Sequence, residues 1–361
     1  MAIYEKVQVR IKTRPRTWLV TGAAGFIGSN LLETLLKLDQ RVIGLDNLST
    51  GSRGNLTQVQ DAVTESQRRN FRFIEGDIRS LDTCRRACRS AEFVLHEAAL
   101  GSIPGSIADP IASHDSNVAG FLNMLVAAHG AGVSRFVYAG SSATYSDHPG
   151  LLKLQPEFGR PLSPYAMTKY VNELYAEVFA RCYGFGSIGL RYFNVYGPRE
   201  DPDGAYASVI PKWIACMIRN EPVHIDGDGQ TARDFCYVDN VVQANLLAAM
   251  VGNPAAVNQI YNVAPNEKTI LHELFEMIRS SLEPHYPHLR DFRPVYREVR
   301  ARDVRLTQTD TGKARRLLAY RPVWRIREGL ERTVGWYVAK LAPSRAIDVG
   351  VSEPRAALYG S

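Results

Sequence analysis

The sequence predicts an α/β protein in which a doubly wound parallel sheet is followed by a smaller C-terminal α/β domain. Through the first half, short apolar strands alternate with helical segments, the pattern of a parallel sheet covered by helices on both faces. A glycine-rich turn joins the first strand to the first long helix. From about residue 192 the chain changes to loops rich in Pro, Gly and Asp, interrupted by helices, which indicates a second domain.

Each element follows from its own apolar pattern. Apolar runs predict strands at 17–21, 41–46, 71–75, 93–97, 135–140 and 187–193. Apolar positions at helical spacing predict helices near 26–38, 80–89, 117–129, 164–183, 206–219, 239–251 and 271–283. The resulting divisions are an N-terminal extension at 1–16, a Rossmann-like domain at 17–191, a second domain at 192–342 and a tail at 343–361. We expect both ends of the chain to be mobile.

Composition and charge exclude several classes of protein. The 361 residues are 45% hydrophobic and 22% charged, and no apolar run approaches the length of about 18 residues that a membrane span needs. The first residues are too charged for a signal peptide, so we expect a cytoplasmic protein without membrane insertion. Five cysteines without a C-x-x-C pair predict neither a disulfide framework nor a metal site. The net charge of +6 is diffuse, which suits a small anionic substrate better than nucleic acid.

The segment TGAAGFIG at 21–28 predicts a phosphate-binding loop between a strand and a helix. Its glycines let the backbone approach a pyrophosphate, which then lies at the positive end of the new helix. The strand at 41–46 ends in Asp46, whose carboxylate would accept hydrogen bonds from an adenosine ribose and repel a 2′-phosphate. This order predicts NAD rather than NADP as the cofactor. The loop residues predicted to contact it are Gly22, Gly25, Phe26, Ile27 and Gly28.

Tyr165 and Lys169 are the predicted catalytic pair, at i and i+4 on one helix face. Pro164 suits the helix start and Ser163 the N-cap. A tyrosine is a poor base because its usual pKa is about 10, so a phenolate near neutral pH requires a shift of roughly three units. One lysine and the positive nicotinamide ring of an oxidised cofactor supply much of that shift. An isolated pattern of this kind is more often a half-buried Tyr with a solvated Lys, but here it follows a nucleotide-binding half.

Ser141 and Ser142 follow the strand at 135–140, where a parallel sheet presents its ligand-binding crevice. A serine at this position can hydrogen-bond a substrate oxygen and relay its proton to the phenolate. The alternative is that both serines only cap the end of the strand. We therefore predict either serine, or both, as catalytic.

Four segments together resemble the extended short-chain dehydrogenase/reductase family of nucleotide-sugar enzymes. They are the glycine loop, the pattern Ser-Ser-x-x-Tyr at 141–145, the Tyr165 and Lys169 pattern, and RYFNVYGP at 191–198. The resemblance covers roughly residues 17–340. Within the family, the segments at 31–40 and 163–175 are similar to bacterial UDP-N-acetylglucosamine 4-epimerases of the surface-polysaccharide type. The first domain would then bind NAD, and the second a UDP-sugar.

The resemblance also implies roles for individual residues. It assigns cofactor contacts to Asn47, Asp77, Ile78, Ala98, Ala99, Leu100, Asn117, Tyr165, Lys169 and Tyr192. It assigns substrate contacts to Ser102, Ser142, Tyr165, Asn194, Ser208, Val209, Arg233, Arg300, Asp303 and Thr307. Arg233 and Arg300 match arginines that pair with the diphosphate, and a guanidinium binds such oxygens bidentately.

The residues after the serines indicate the reaction type. Dehydratase relatives place Asp-Glu there to drive elimination, and decarboxylase relatives carry Glu with a downstream Arg, whereas this chain has Ala143 and Thr144. That difference favours epimerisation. Thr307 stands where relatives limited to small hexoses have a bulky tyrosine, which leaves room for an N-acetyl group at C2. Arg302 in place of a glycine and Gly105 in place of a basic residue depart from the family pattern.

The resemblance therefore implies a UDP-N-acetylhexosamine 4-epimerase that interconverts UDP-GlcNAc and UDP-GalNAc through a transient 4-keto sugar with bound NAD. Tyr165 would take the 4-hydroxyl proton, directly or through a serine, while Lys169 lowers the pKa of the phenol and binds the nicotinamide ribose. Three alternatives stay open. They are the same chemistry on a UDP-hexuronic acid, which Arg302 would suit, a net oxidoreductase that releases NADH, and a non-catalytic NAD-binding sensor. The family also implies a homodimer through the helices near 117–129 and 164–183.

Overall fold

The computed structural model describes residues 2–145, 152–153, 160–204, 207–298 and 308–341. The strands are β1 (Thr17–Thr21), β2 (Arg41–Asp46), β3 (Phe71–Glu75), β4 (Phe93–His96), β5 (Arg135–Ser141), β6 (Leu152–Lys153), β7 (Ser187–Tyr192), β8 (Val195–Tyr196), β9 (His224–Asp226), β10 (Ala232–Asp234), β11 (Cys236–Tyr237), β12 (Gln259–Val263), β13 (Lys268–Ile270), β14 (Val295–Arg297) and β15 (Gln308–Thr309). The α-helices are α1 (Ile3–Thr13), α2 (Phe26–Lys37), α3 (Arg53–Asp61), α4 (Glu65–Arg68), α5 (Leu81–Cys88), α6 (Ile103–Ala108), α7 (Pro110–His114), α8 (Gly120–Gly130), α9 (Pro164–Tyr183), α10 (Val209–Ile218), α11 (Val238–Met250), α12 (Leu271–Leu282), α13 (Gly312–Leu317) and α14 (Ile326–Leu341). A π-helical turn covers Asp115–Ala119, and short 3₁₀ turns cover Ser142–Tyr145, Pro254–Ala256 and Pro287–Asp291.

The central sheet has seven parallel strands in the order β12-β7-β5-β4-β1-β2-β3. The interior strand β1 pairs on both sides, with β2 and with β4, so that Leu19 lies between Ile43 and Val94. These three side chains are buried because helices cover both faces of the sheet. The strand order reverses between β1 and β4, and this reversal opens a crevice at the carboxyl ends of the strands. The predicted doubly wound, Rossmann-like α/β fold is confirmed.

The predicted strands are found with their ends shifted by at most one residue, but the sheet extends further than the sequence suggested. β12 pairs with β7 in parallel register, and α11 packs against the same sheet. The sequence analysis placed residues 238–263 in the second domain, but most of them pack with the central sheet of the Rossmann-like domain. The chain crosses back to the central sheet after residue 192, so two consecutive segments do not describe the domains fully. The other domain boundaries stay a prediction.

The second core is built by helices α10, α12 and α14. Trp213, Phe275 and Leu330 are buried together there with the ends of β8 and β11. In two separate two-stranded sheets, β8 pairs with β11 and β10 pairs with β13. Ser208, just before α10, and Arg233 of β10 line the same cavity as residues at the carboxyl ends of β1, β4 and β5.

The N-terminal helix α1 is part of the packed structure. Ile11 is buried in the main core, and Tyr4 and Val7 pack against that core. The Gln40 side chain donates to the Ile11 carbonyl at 2.9 Å and accepts from the Trp18 indole nitrogen at 3.1 Å. The expectation of a mobile N-terminus is therefore wrong for residues 3–13. The predicted tail at 343–361 lies outside the described residues.

Candidate active site

The glycine loop forms a cradle that only small residues allow. Gly22 has φ of +67°, a left-handed conformation that favours glycine. A Cβ on Gly28 would lie 2.0 Å from the Gly22 carbonyl oxygen, so the start of α2 and the loop are in direct backbone contact. Gly25 caps α2 without a side-chain hydrogen bond, which leaves the first backbone N–H groups of the helix free for an anion. The loop therefore fits the pyrophosphate of a dinucleotide.

Asp46 lies at the end of β2 and fixes the loop. One carboxylate oxygen accepts from the Ala24 N–H at 2.9 Å, and the other accepts from the Leu48 N–H at 2.8 Å. Burial raises the pKa of Asp46, and the two backbone hydrogen bonds oppose that rise. Each carboxylate oxygen keeps a second lone pair, so the group can still accept a ribose hydroxyl as the sequence predicts.

A single cavity of about 1070 Å³ joins this loop to the second core. The predicted site residues that line it are Gly22, Gly25, Phe26, Ile27, Gly28, Asp46, Asn47, Ile78, Ala98, Ala99, Leu100, Ser141, Ser142, Tyr165, Lys169, Tyr192, Asn194, Ser208 and Arg233. The volume lies just above the usual range for ligand pockets, about 300–1,000 Å³. Loop, acid and cavity together fit a bound dinucleotide with room beside it for a second ligand.

The catalytic residues predicted from the sequence line this cavity together. The Ser163 hydroxyl caps α9 by accepting from the Ala166 N–H at 3.1 Å, which sets the first turn of the helix. The Tyr165 hydroxyl is hydrogen-bonded to Ser141, at the end of β5. The Lys169 ammonium donates to the Ala139 carbonyl at 3.0 Å. Strand end and helix start thus present a phenol, a hydroxyl and an ammonium together.

Burial opposes the charged forms of both members of the pair. It raises the pKa of Tyr165, and the hydrogen bond from Ser141 only partly offsets that rise. Burial also lowers the pKa of Lys169 to about 8. The protein alone therefore favours a neutral phenol. A positive charge near the phenol, such as an oxidised nicotinamide ring, would favour the phenolate.

Three further residues predicted to bind ligands are engaged within the protein instead of lining the cavity. The Asn117 side chain accepts from the Leu100 N–H at 2.7 Å and donates to the Thr168 hydroxyl at 3.1 Å. The Asp77 carboxylate accepts from Asn47 at 2.9 Å, and hydrogen bonds from Arg79 lower its pKa to about 2. The Ser102 hydroxyl caps α6. Their ligand-binding roles stay predictions.

Asn117 lies in the π-helical turn that precedes α8. Its hydrogen bonds join the cofactor-lining segment at Leu100 to the catalytic helix α9. Asn117 therefore positions both segments.

The substrate end of the cavity lies between β8, β10 and the start of α10. Asn194, with φ of +36°, donates to the Asp234 carbonyl at 3.0 Å. Ser208 precedes α10, and its N–H donates to the Glu200 carboxylate at 2.9 Å. Val209 begins α10. The predicted substrate residues Arg300, Asp303 and Thr307, and also Arg302, lie outside the described residues.

Sequence reasoning missed several residues that line the cavity, among them the acidic residues Glu97 and Glu200. Burial raises the pKa of each to about 7. For Glu97 the available signal was a charged residue at the end of a predicted apolar strand. For Glu200 the sequence offered none, because its burial depends on a loop contact with Ser208.

The comparisons with known proteins agree with this geometry. The family described as NAD dependent epimerase/dehydratase matches residues 18–264. The chain belongs to this family. A UDP-glucose 4-epimerase of Mycolicibacterium smegmatis is 33% identical over 88% of this chain and 97% of its own length. A UDP-glucuronate 4-epimerase of Thermodesulfobacterium geofontis is 32% identical over 92% of this chain and 99% of its own.

A solved structure is similar as well. The UDP-N-acetylglucosamine 4-epimerase of Methanobrevibacter ruminantium, in complex with UDP-N-acetylmuramic acid, superposes with a TM-score of 0.82 at 32% identity. The match covers 91% of this chain and 99% of that chain. The predicted family, the enzyme class of NAD-dependent epimerases and NAD as the cofactor are confirmed. The relatives name different UDP-sugars, so the sugar itself is a separate question.

Proposed function

We propose that the protein is a UDP-sugar 4-epimerase that interconverts UDP-GlcNAc and UDP-GalNAc with NAD as a bound cofactor. The observation that carries the proposal is the hydrogen-bonded pair of Tyr165 and Ser141 beside the buried Lys169, all lining the cavity. Epimerisation at C4 needs a base that takes a hydroxyl proton and returns it. This pair supplies the base and a relay, and the lysine supplies the charge that stabilises the base.

NAD, when bound, supplies the hydride acceptor and donor for C4. The residues of this chain hold the substrate and move the proton. Tyr165 takes the proton of the 4-hydroxyl, directly or through Ser141 or Ser142, and returns it after the sugar has turned. Lys169 stabilises the phenolate and binds the nicotinamide ribose. Arg233 lines the far end of the cavity, where pairing with the diphosphate would let the sugar turn without leaving.

The turn after the catalytic strand supports epimerisation over elimination. Thr144 is buried and its hydroxyl donates to the Ser141 carbonyl at 2.8 Å, so this position presents no acid to a sugar. Gly101 and Ala143 line the cavity with small side chains, which supports space for an acetamido group at C2. The main alternative is a UDP-hexuronic acid, whose C6 carboxylate would need a cation such as Arg302.

The test is NMR of the purified protein with UDP-GlcNAc and no added NAD. We expect the anomeric signal of the galacto-configured product to appear with the wild type and to be absent with Tyr165→Phe. Binding of the UDP-sugar should be largely unchanged in that variant. Tyr175→Phe removes a phenol of the same helix that is partly buried against the core and does not line the cavity, and this variant should turn over normally.

The same measurement with UDP-glucose and with a UDP-hexuronic acid distinguishes the proposed function from its alternatives. Turnover of the hexuronic acid alone would contradict the proposed sugar and leave the chemistry standing. Release of NADH would indicate a net oxidoreductase. No turnover with all three, even after NAD is supplied, would favour the non-catalytic sensor.

We also propose a homodimer formed by α8 and α9. Met167, Leu174 and Val178 are 48%, 42% and 47% exposed along one face of α9, and Val126 of α8 is 38% exposed. Apolar side chains that form a contiguous exposed surface mark interaction sites. Leu174→Asp combined with Val178→Asp should halve the mass measured by light scattering. A dimer that persists in this double variant would exclude the α9 face.

The cytoplasmic location and a role in making precursors of surface polysaccharides are further proposals by family resemblance. Among the helices that the structure describes, none is long and apolar enough to cross a membrane.

A further inference from the structure

Glu97 is an acidic residue in the cavity that the proposed chemistry does not use. It follows β4 directly, and Thr21 of β1 fixes its backbone on both sides. The Glu97 N–H donates to the Thr21 carbonyl at 3.2 Å, and the next N–H, of Ala98, donates to the Thr21 hydroxyl at 3.2 Å. The side chain is therefore aimed into the cavity from a rigid strand end.

A chain of hydrogen bonds fixes the carboxyl group itself. The Tyr192 hydroxyl donates to a Glu97 carboxylate oxygen at 2.8 Å. The Asn245 amide donates to the same hydroxyl at 2.9 Å and to the Val241 carbonyl at 3.0 Å. Because a carbonyl only accepts, the Asn245 group that faces it is the NH₂, and the single proton of Tyr192 is left for Glu97.

The groups that face Glu97 come from three elements besides its own strand. Lys169 and Tyr165 of α9 line the same cavity as Glu97, and the Lys169 ammonium donates to the carbonyl of Ala139, which follows the residue of β5 that pairs with His96. Tyr192 contacts Glu97 from the end of β7, and Cys236 of β11 interacts with Tyr192. On its own strand, burial lowers the pKa of His96 to about 3, so that ring is neutral. Burial also raises the pKa of Cys236 well above its usual range. Lys169 is therefore the cation that Glu97 faces among these groups.

We propose that Glu97 is a positioning residue whose negative charge sets the protonation of the Tyr165 and Lys169 pair. The inference rests on the proposed catalytic pair, but not on the identity of the sugar. A carboxylate at this place favours the ammonium form of Lys169 and disfavours the phenolate of Tyr165. It therefore keeps Lys169 charged in a buried site and opposes ionisation of the Tyr165 phenol.

The sign of the effect is the same for both neighbours. Glu97 raises the pKa of Lys169 against burial, and it raises the pKa of Tyr165 together with burial. Removing its charge lowers both values. Since burial raises the pKa of Glu97 itself to about 7, the carboxylate exerts this effect above neutral pH.

The test is Glu97→Gln in the protein as purified with its cofactor, because glutamine keeps an oxygen for the Tyr192 hydroxyl and loses only the charge. Ionisation of Tyr165 is followed by ultraviolet difference absorbance against the same protein carrying Tyr165→Phe. We expect Tyr165 to ionise at a pH lower by about one unit. The alkaline limb of the pH–rate profile should move in the same direction, because Lys169 loses its proton earlier.

Glu92→Gln is the matched control, since Glu92 lies at the other end of β4 and pairs with Arg16. It should leave the Tyr165 titration unchanged, and Glu97→Asp, which keeps the charge, should restore most of the wild-type value. An unchanged Tyr165 titration in Glu97→Gln, with only a lower rate, would overturn the inference and leave a structural role. If no UDP-sugar turns over, the proposed function fails while the absorbance titration still decides this point.

Discussion

The glycine at the start of α2 offers a sharp test of how the cofactor loop is built. Helix propensity alone predicts that Gly28→Ala stabilises the protein by about 1 kcal/mol. The structure predicts the opposite, because the new Cβ would lie 2.0 Å from the Gly22 carbonyl oxygen, where contacts under 3.0 Å are essentially never seen. That oxygen must retreat by about 1 Å, yet it accepts the Gly25 N–H at 3.0 Å and shapes the turn.

The expected cost follows from these contacts. Overpacking against backbone costs about 1–3 kcal/mol, which exceeds the gain in helix propensity. A displaced loop also loses charge-assisted hydrogen bonds to the pyrophosphate, of about 1.5–3 kcal/mol each. We therefore expect NAD affinity to fall roughly 10- to 100-fold.

Gly335→Ala is the matched control, because Gly335 lies in α14 and a Cβ there meets nothing within 4 Å. This variant should gain about 0.5–1 kcal/mol in the free energy of unfolding and keep its affinity for NAD. Urea unfolding and titration calorimetry with NAD measure both quantities. If Gly28→Ala gains stability as Gly335→Ala does and binds NAD normally, the account of the cradle is wrong.

Three further predictions concern stability and cofactor choice. Burial raises the pKa of Glu200 and Asp234 to about 7. The folded state therefore holds protons that the unfolded state releases, and urea unfolding should show stability falling as pH rises from the ordinary carboxyl range towards 7. Glu200→Gln combined with Asp234→Asn should flatten that dependence. Glu173 forms a bidentate ion pair with Arg191, and the two side chains are 2% and 1% exposed. Glu173→Gln should lower the free energy of unfolding in urea by about 3–5 kcal/mol. Glu177→Gln, which breaks an exposed ion pair with Arg181, should lower the free energy of unfolding by about 1 kcal/mol at most. Asp46→Ser should bring the calorimetric Kd values of NAD and NADP closer together, and an unchanged ratio would exclude the proposed ribose contact.

The sequence predicts most of the fold because its local signals agree with each other. The strand ending at Thr21, the glycine turn and the helix beginning at Phe26 each have their own pattern, and the structure combines them as expected. The N-cap Ser163 likewise gave the start of α9, and with it the placement of Tyr165 and Lys169 on one face.

The features that the sequence analysis missed depend on contacts between distant residues. The docking of α1 involves Gln40, whose side chain donates to the Ile11 carbonyl across 29 positions of the chain. The pairing of β12 with β7 joins residues far apart in the chain, and the short apolar run of β12 does not indicate which strand it pairs with. The place of Asn117 between Leu100 and Thr168 depends on three segments at once. No local pattern carries such information.

We propose that this chain inverts C4 by removing and returning the same hydrogen within one cavity. The most direct measurement uses UDP-GlcNAc with deuterium at C4 and a heavy-carbon label in the acetyl group, mixed with unlabelled UDP-GlcNAc and the purified protein without added NAD. Within the separated UDP-GalNAc product, we predict that mass spectrometry finds deuterium only in molecules that also carry the heavy carbon. Deuterium lost to solvent, or spread to molecules without heavy carbon, would contradict the account.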